Sequence, residues 1–153
     1  TPYQLAQRRK EKDRIGIDRY KLSHDLYSAV RDGNEVTAKA LLCYRCSVND
    51  KDSLGRTALH CACQCCSPTD SADITRLLLD AGADVNARDN EDRTSLHYAC
   101  EKGATDIVTC LLRHGAPLNT VDDMKKTPLH YACHTGVTDI VTCLTKHGAK
   151  VNA

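Results

Sequence analysis

Residues 94–119 read TSLHYACEKGATDIVTCLLRHGAPLN, and residues 127–152 read TPLHYACHTGVTDIVTCLTKHGAKVN. The two stretches are the same unit set 33 residues apart, and a period in this range marks a stacked-repeat architecture. A third copy begins at Thr57, 37 residues before Thr94, and reads TALHCAC…DITRLLLDAGADVN. Its four extra residues fall between Cys63 and Asp73. A weaker copy, LYSAVRDGNEVTAKALLCYRCSVN, occupies 26–49, with Ala29, Gly33, Leu41, Leu42 and Asn49 in register.

Each copy carries its own helix punctuation. Thr57, Thr94 and Thr127 precede apolar runs and suit N-caps, and Pro128 fits the first helical position. Leu59, Ala62 and Cys63 form the buried stripe of a short first helix. Leu96, Ala99 and Cys100, then Leu129, Ala132 and Cys133, repeat it. This register makes Cys100 and Cys133 equivalent core positions. Gly103 and Gly136 end that helix, and a second helix follows with Ile107, Val108, Cys110 and Leu111, or Ile140, Val141, Cys143 and Leu144, as its stripe. Gly82, Gly115 and Gly148 stop the second helix before polar, turn-like stretches. Two short amphipathic helices cannot bury both faces alone, but stacked copies can, as an all-α solenoid.

The pattern T-x-L-H-x-A-C, then G-x-x-D-I-V-x-x-L, then G-A-x-x-N resembles the ankyrin repeat, over about residues 22–153. The resemblance implies one divergent and three regular repeats, at about 22–51, 52–88, 89–121 and 122–153, each an antiparallel helix pair with a hairpin-like loop projecting from it. It implies that His60, His97 and His130 bridge loops and helices by hydrogen bonds, a structural duty that outweighs a metal-site reading of three histidines in register.

The chain departs from the pattern in four places. Arg45 stands where Gly82 and Gly115 stand, so the first repeat ends its second helix differently. Asp92 and Lys125 replace the loop glycine seen at Gly55, and a left-handed Lys costs roughly 1 kcal/mol. The insertion through Cys65, Cys66, Ser67, Pro68, Thr69 and Asp70 reads as a surface loop. The sequence stops at Asn152-Ala153 with no polar capping repeat, so further repeats or another domain are expected to follow. Starting at Thr1 without a Met, the chain reads as a segment of a longer protein.

Composition narrows the function. Over 153 residues, 21 Lys and Arg face 20 Asp and Glu, a net charge of +1 that argues against a strongly basic nucleic-acid binder. At 41% hydrophobic residues the chain has enough apolar surface to fold, and no window is apolar enough to span a membrane. There is no Trp and no Phe, so the interior must be built from aliphatic and small side chains. Residues 1–21 carry seven Lys and Arg against three acids and read as a basic helical extension or cap. A solvated capping helix fits them better than a nucleic-acid or membrane contact, because acids interleave and aromatics are few.

Five of the ten cysteines, Cys63, Cys100, Cys110, Cys133 and Cys143, recur in register as small core hydrophobes, which places the chain in a reducing, intracellular setting, cytoplasm or nucleus. Cys43, Cys61, Cys65 and Cys66 have no repeated duty and leave a zinc- or redox-responsive module as the alternative, although paired CxxC spacing is missing. No phosphate loop or nucleophile elbow occurs, so no catalytic residue, metal or cofactor is assigned, and an enzyme is expected only if its catalytic part lies outside this segment.

The resemblance points to binding of another protein or peptide on the concave face made by loop tips and first helices. Those positions are Ser53, Leu54, Arg56, Gln64 and Cys65; Asn90, Glu91, Arg93, Glu101 and Lys102; and Asp123, Met124, Lys126, His134 and Thr135. They vary between copies while the core repeats, as a binding face on a constant scaffold does. Most are charged and mixed in sign, with Leu54 and Met124 the apolar exceptions, so neither an acidic nor a basic partner is implied. The chain is thus expected to be a non-enzymatic interaction module of an adaptor, scaffold or regulatory protein. The resemblance also implies a modification, hydroxylation of the loop Asn, for which Asn86 in LLLDAGADVNA matches best.

Overall fold

A computed structural model describes residues 19–43, 46–65 and 68–151, side chains 65–71 and those of 19 and 20 excepted. Among the described residues there are eight helices: α1 (Arg19–Arg31), α2 (Glu35–Cys43), α3 (Ala58–Cys65), α4 (Pro68–Asp80), α5 (Ser95–Lys102), α6 (Thr105–Arg113), α7 (Pro128–Thr135) and α8 (Thr138–Lys146). They form four consecutive pairs. First helices stack on first helices, α1 on α3 on α5 on α7, and second helices on second, α2 on α4 on α6 on α8. The result is a two-layered, all-helical solenoid whose units contact only their neighbours. The basic extension at 1–18 lies outside the described residues; 19–21 open α1.

One apolar cluster runs the length of the stack, from Leu26 to Ala149. Its repeating elements are Leu59, Leu96 and Leu129 in the first helices and Ile74, Ile107 and Ile140 with Leu78, Leu111 and Leu144 in the second, all buried. Each such side chain contributes about 1.5–3 kcal/mol by leaving water, which lets short helices persist without a large aromatic core.

The punctuation works as the sequence suggested. Thr94 and Thr127 are extended N-caps, and each forms a reciprocal capping box with the histidine three residues on. Gly103 closes α5 at φ 70°, its N–H reaching the carbonyls of Ala99 and Cys100. Asp92 and Lys125 take the left-handed conformation of Gly55, with φ of 59° and 62° against 75°. Gly55 has a second reason to lack a side chain, since a Cβ there would meet Asn90 Oδ1 of the next loop at 2.5 Å.

Two expectations are corrected. The insertion is not simply a surface loop: Pro68 opens α4, which runs for 13 residues where α6 and α8 run for 9. The four extra residues therefore lengthen a helix, for which a proline in the first turn is well suited. Among the described residues Cys133 is exposed, not buried as expected. Cys100 is fully buried but Cys133 is exposed, because α7 covers that face of α5 while nothing described covers the same face of α7.

Candidate interaction surface

The loops between repeats are built on three aspartates in register, Asp52, Asp89 and Asp122. Each Oδ1 accepts two backbone N–H groups, from Leu54 and Arg56 (2.9 and 2.8 Å), Glu91 and Arg93 (both 2.9 Å), and Met124 and Lys126 (3.0 and 2.8 Å). The second oxygen differs. Asp52 accepts Arg56 Nε at 3.0 Å, Asp89 accepts the Tyr98 hydroxyl, and Asp122 accepts the Tyr131 hydroxyl at 2.5 Å. Burial alone would raise the Asp122 carboxyl, but hydrogen bonds from Tyr131 and from the Lys126 and Met124 amides outweigh it and hold it below the usual range. Burial and the same carboxylate push the Tyr131 phenol up to about 12.

Histidines tie each loop to the preceding helix. The Thr94 N–H donates to His97 Nδ1 at 3.1 Å, so Nδ1 is an acceptor and Nε2 carries the proton. Nε2–H then donates to the Lys126 carbonyl of the next loop at 3.0 Å. His60 does the same between Thr57 and the Arg93 carbonyl, at 3.0 Å on both sides. His130 keeps the capping half, accepting from the Thr127 N–H at 2.9 Å, but is exposed. Burial pushes His60 and His97 below their ordinary value, although the bonded carbonyls pull the other way. The loops are stitched tip to tip as well: the Asn90 N–H reaches the Leu54 carbonyl, and the Asp123 N–H the Glu91 carbonyl, both at 3.0 Å.

On this frame six of the expected contact residues come together. Leu54, Arg56, Gln64, Asn90, Glu91 and Arg93 wall a cavity of about 160 Å³ between the Asp52 and Asp89 loops, with Asp89 and Tyr98 beneath. Glu101 joins it through Arg93. Lys102, Asp123, Met124, Lys126 and His134 are exposed further along, and Ser53 sits exposed at its tip. Leu54 is 54% exposed and Met124 62% exposed, against the usual burial of such side chains. Arg93 lies deeper, its side chain only 17% exposed. Its Nη1 donates to Glu101 at 3.2 Å, its Nε faces Glu91 at 3.4 Å and Asp122 at 3.9 Å, and its guanidinium stands 5.6 and 5.2 Å from the Tyr98 and Tyr131 ring centres. It clamps two repeats together, a role that needs both tyrosines and so is invisible within one repeat. The aspartates were missed too, although their in-register recurrence before each N-cap threonine is a readable signal.

The unassigned cysteines separate. Cys61 is buried in the core and Cys43 is exposed, while Cys66 and the Cys65 side chain lie outside the described residues. Among the described residues no three His, Cys, Asp or Glu side chains converge as a metal ion requires, and no helix is long and apolar enough to cross a membrane.

Asn86 is exposed at the base of its loop. Asn49 Oδ1 accepts the Asp84 N–H at 2.8 Å, and Asn119 Oδ1 the Lys150 N–H at 2.9 Å, each bracing the next loop. At Asn86 the corresponding residue is Pro117, which has no N–H to give.

No curated protein gives a match to this chain. A family model for ankyrin repeats, in three copies, matches residues 24–89 and 64–153. With the helix pairs, histidine bridges and tip-to-tip loops all in place, the chain belongs to the ankyrin repeat family.

Proposed function

We propose that this chain is the non-enzymatic, protein-binding ankyrin domain of a larger intracellular adaptor, scaffold or regulatory protein. Ankyrin repeats are generally protein–protein interaction modules. The observation that carries the reading here is the cavity between the Asp52 and Asp89 loops. Its outer wall includes positions that differ from repeat to repeat, Leu54 against Glu91 and Met124, and Gln64 against Glu101 and His134, while the aspartates, histidines and aliphatic core behind it do not. A partner protein or peptide lies along this groove, with Leu54 and Met124 as apolar anchors. An exposed apolar side chain contributes little to the free fold but gains when a partner covers it.

Leu54→Ala and Met124→Ala should each weaken partner binding by about 1–2 kcal/mol while leaving the thermal midpoint nearly unchanged. Titration of each variant against a partner recovered by affinity capture, with melts alongside, measures both. Unchanged affinity in both variants would move the site off the loop tips.

Asn86 is the proposed modification site, a substrate for an asparaginyl hydroxylase. Its amide is exposed and is spared the bracing duty of Asn49 and Asn119. Incubation with such an enzyme should add one oxygen at Asn86 by peptide mapping; an unmodified Asn86 beside a modified Asn119 would reverse the assignment.

A further inference from the structure

Each of the three regular loops presents one cation at the same register position, Arg56, Arg93 and Lys126, and each first helix presents one side chain eight residues later, Gln64, Glu101 and His134. In two repeats this pair closes internally. Arg56 Nη1 donates to Gln64 Oε1 at 2.9 Å, and Arg93 Nη1 to Glu101 Oε2 at 3.2 Å. In the last repeat it cannot close in that way, because His134 replaces the oxygen acceptor. The loop carboxylate is unavailable as well. Asp52 binds Arg56 through Oδ2, whereas Asp122 is buried, gives Oδ2 to Tyr131 and faces Arg93. Lys126 is therefore exposed with only the Tyr131 ring beside it, 5.6 Å from the ring centre, and no ion pair among the described residues.

The surroundings add to this. Lys102 is exposed in the last turn of α5, and the Thr135 hydroxyl of α7 reaches the Cys100 carbonyl at 3.4 Å, which brings the ends of those helices together. Glu91 and Glu101, the acids on the groove wall, are already engaged by Arg93. The exposed acids Asp92 and Asp123 share the tips with exposed Lys125. Two residues before Lys126 stands exposed Met124.

The geometry points to an acidic peptide as the occupant of this end of the groove: a Glu or Asp takes the place against Lys126 that Glu101 takes against Arg93, and an adjacent apolar residue covers Met124. The inference rests on the groove being the docking face. It also refines the mixed charge of that face, since Arg56 and Arg93 are neutralised within the fold and the lysines are not. A nucleic acid fits less well, because among the described residues the exposed large apolar side chains include no aromatic ring on which a base would stack.

The test is selection of a random-peptide display library on the immobilised chain, followed by titration of the enriched peptides. Enrichment of Asp or Glu next to Leu, Ile or Met is expected. Lys126→Gln and His134→Glu should each weaken binding about five- to tenfold, and Lys146→Gln, on α8, should not. His134→Glu should keep the parental melting temperature, since it restores the internal acceptor. Enriched peptides without acids, or affinities untouched by both variants, overturn the acidic docking; if those peptides still lose affinity at Leu54→Ala, the groove reading survives. A library with no enriched peptide counts against both. A single-stranded oligonucleotide that binds and loses affinity in Lys126→Gln reassigns the patch to nucleic acid.

Discussion

Cys100→Asp should abolish cooperative unfolding, while Cys133→Asp should leave it intact. The two cysteines occupy the same position of the same seven-residue motif, HYAC preceded by an N-cap threonine, yet their surroundings are opposite. Cys100 is 0% exposed, in the face of α5 that α7 covers. Burial there pushes its thiol up to about 12, since a negative charge is disfavoured where water is excluded. An Asp carboxylate must either stay charged without a partner or take up a proton, and either course costs several kcal/mol. That is comparable to the whole stability of a domain this size, about 5–15 kcal/mol. Cys133 is exposed, so its carboxylate stays in water. Cys100→Ala should cost only about 1–2 kcal/mol, which separates the charge from the lost volume. Urea titrations followed by circular dichroism measure all three. A cooperative, near-parental transition for Cys100→Asp would mean that the interface between α5 and α7 is looser than its burial indicates.

That contrast shows what a repeat sequence does and does not reveal. The threonine caps, glycine stops and aliphatic stripes were legible because each is decided by a few neighbouring residues: Thr94 needs only the amides of its own first turn, and Ile107 only its place in a 3.6-residue period. Burial is different, because it is decided by the neighbouring unit. His97 and His130 have the same letters around them, but among the described residues His97 alone of the two bonds the carbonyl of a following loop. The insertion at Pro68 shows a local signal with two outcomes, since Ser-Pro opens turns and helices alike, and the helix wins here. The candidate surface was legible as a set of positions and not as a pattern of charge. Arg93 and Lys126 look alike in sequence; Glu91, Glu101 and Asp122 neutralise one and leave the other bare. Only the fold brings those acids together.

Acidification from about pH 7.5 to about 5.5 should destabilise the domain, and His97→Ala should both weaken it and flatten that dependence. His60 and His97 are buried in the neutral form, each with Nδ1 accepting a threonine N–H and Nε2 donating to a carbonyl of the next loop. Protonating Nδ1 would set a donor against a donor. Burial accordingly lowers both folded-state values below the ordinary 6.5. The unfolded chain then binds protons at a higher pH than the native one. The stabilisation is complete above about 6.5 and is lost as the pH falls from there through the lowered folded-state value, by up to about 1.4 kcal/mol per pH unit for each histidine. The carboxylate Asp122, also lowered, acts in a more acidic window and does not contribute to this one. His97→Ala removes a side chain that is 1% exposed and leaves the Thr94 amide and the Lys126 carbonyl without their partner. The cost at neutral pH should be about 3–5 kcal/mol, from one cavity and two orphaned groups. Because one of the two buried imidazoles is gone, the remaining slope between those pH values should fall to roughly half. Urea midpoints of parent and variant across the range decide it. A parent whose stability is flat over this range, or a variant that keeps the full slope, would show that the histidine bridges do not hold neutral imidazoles in the folded state.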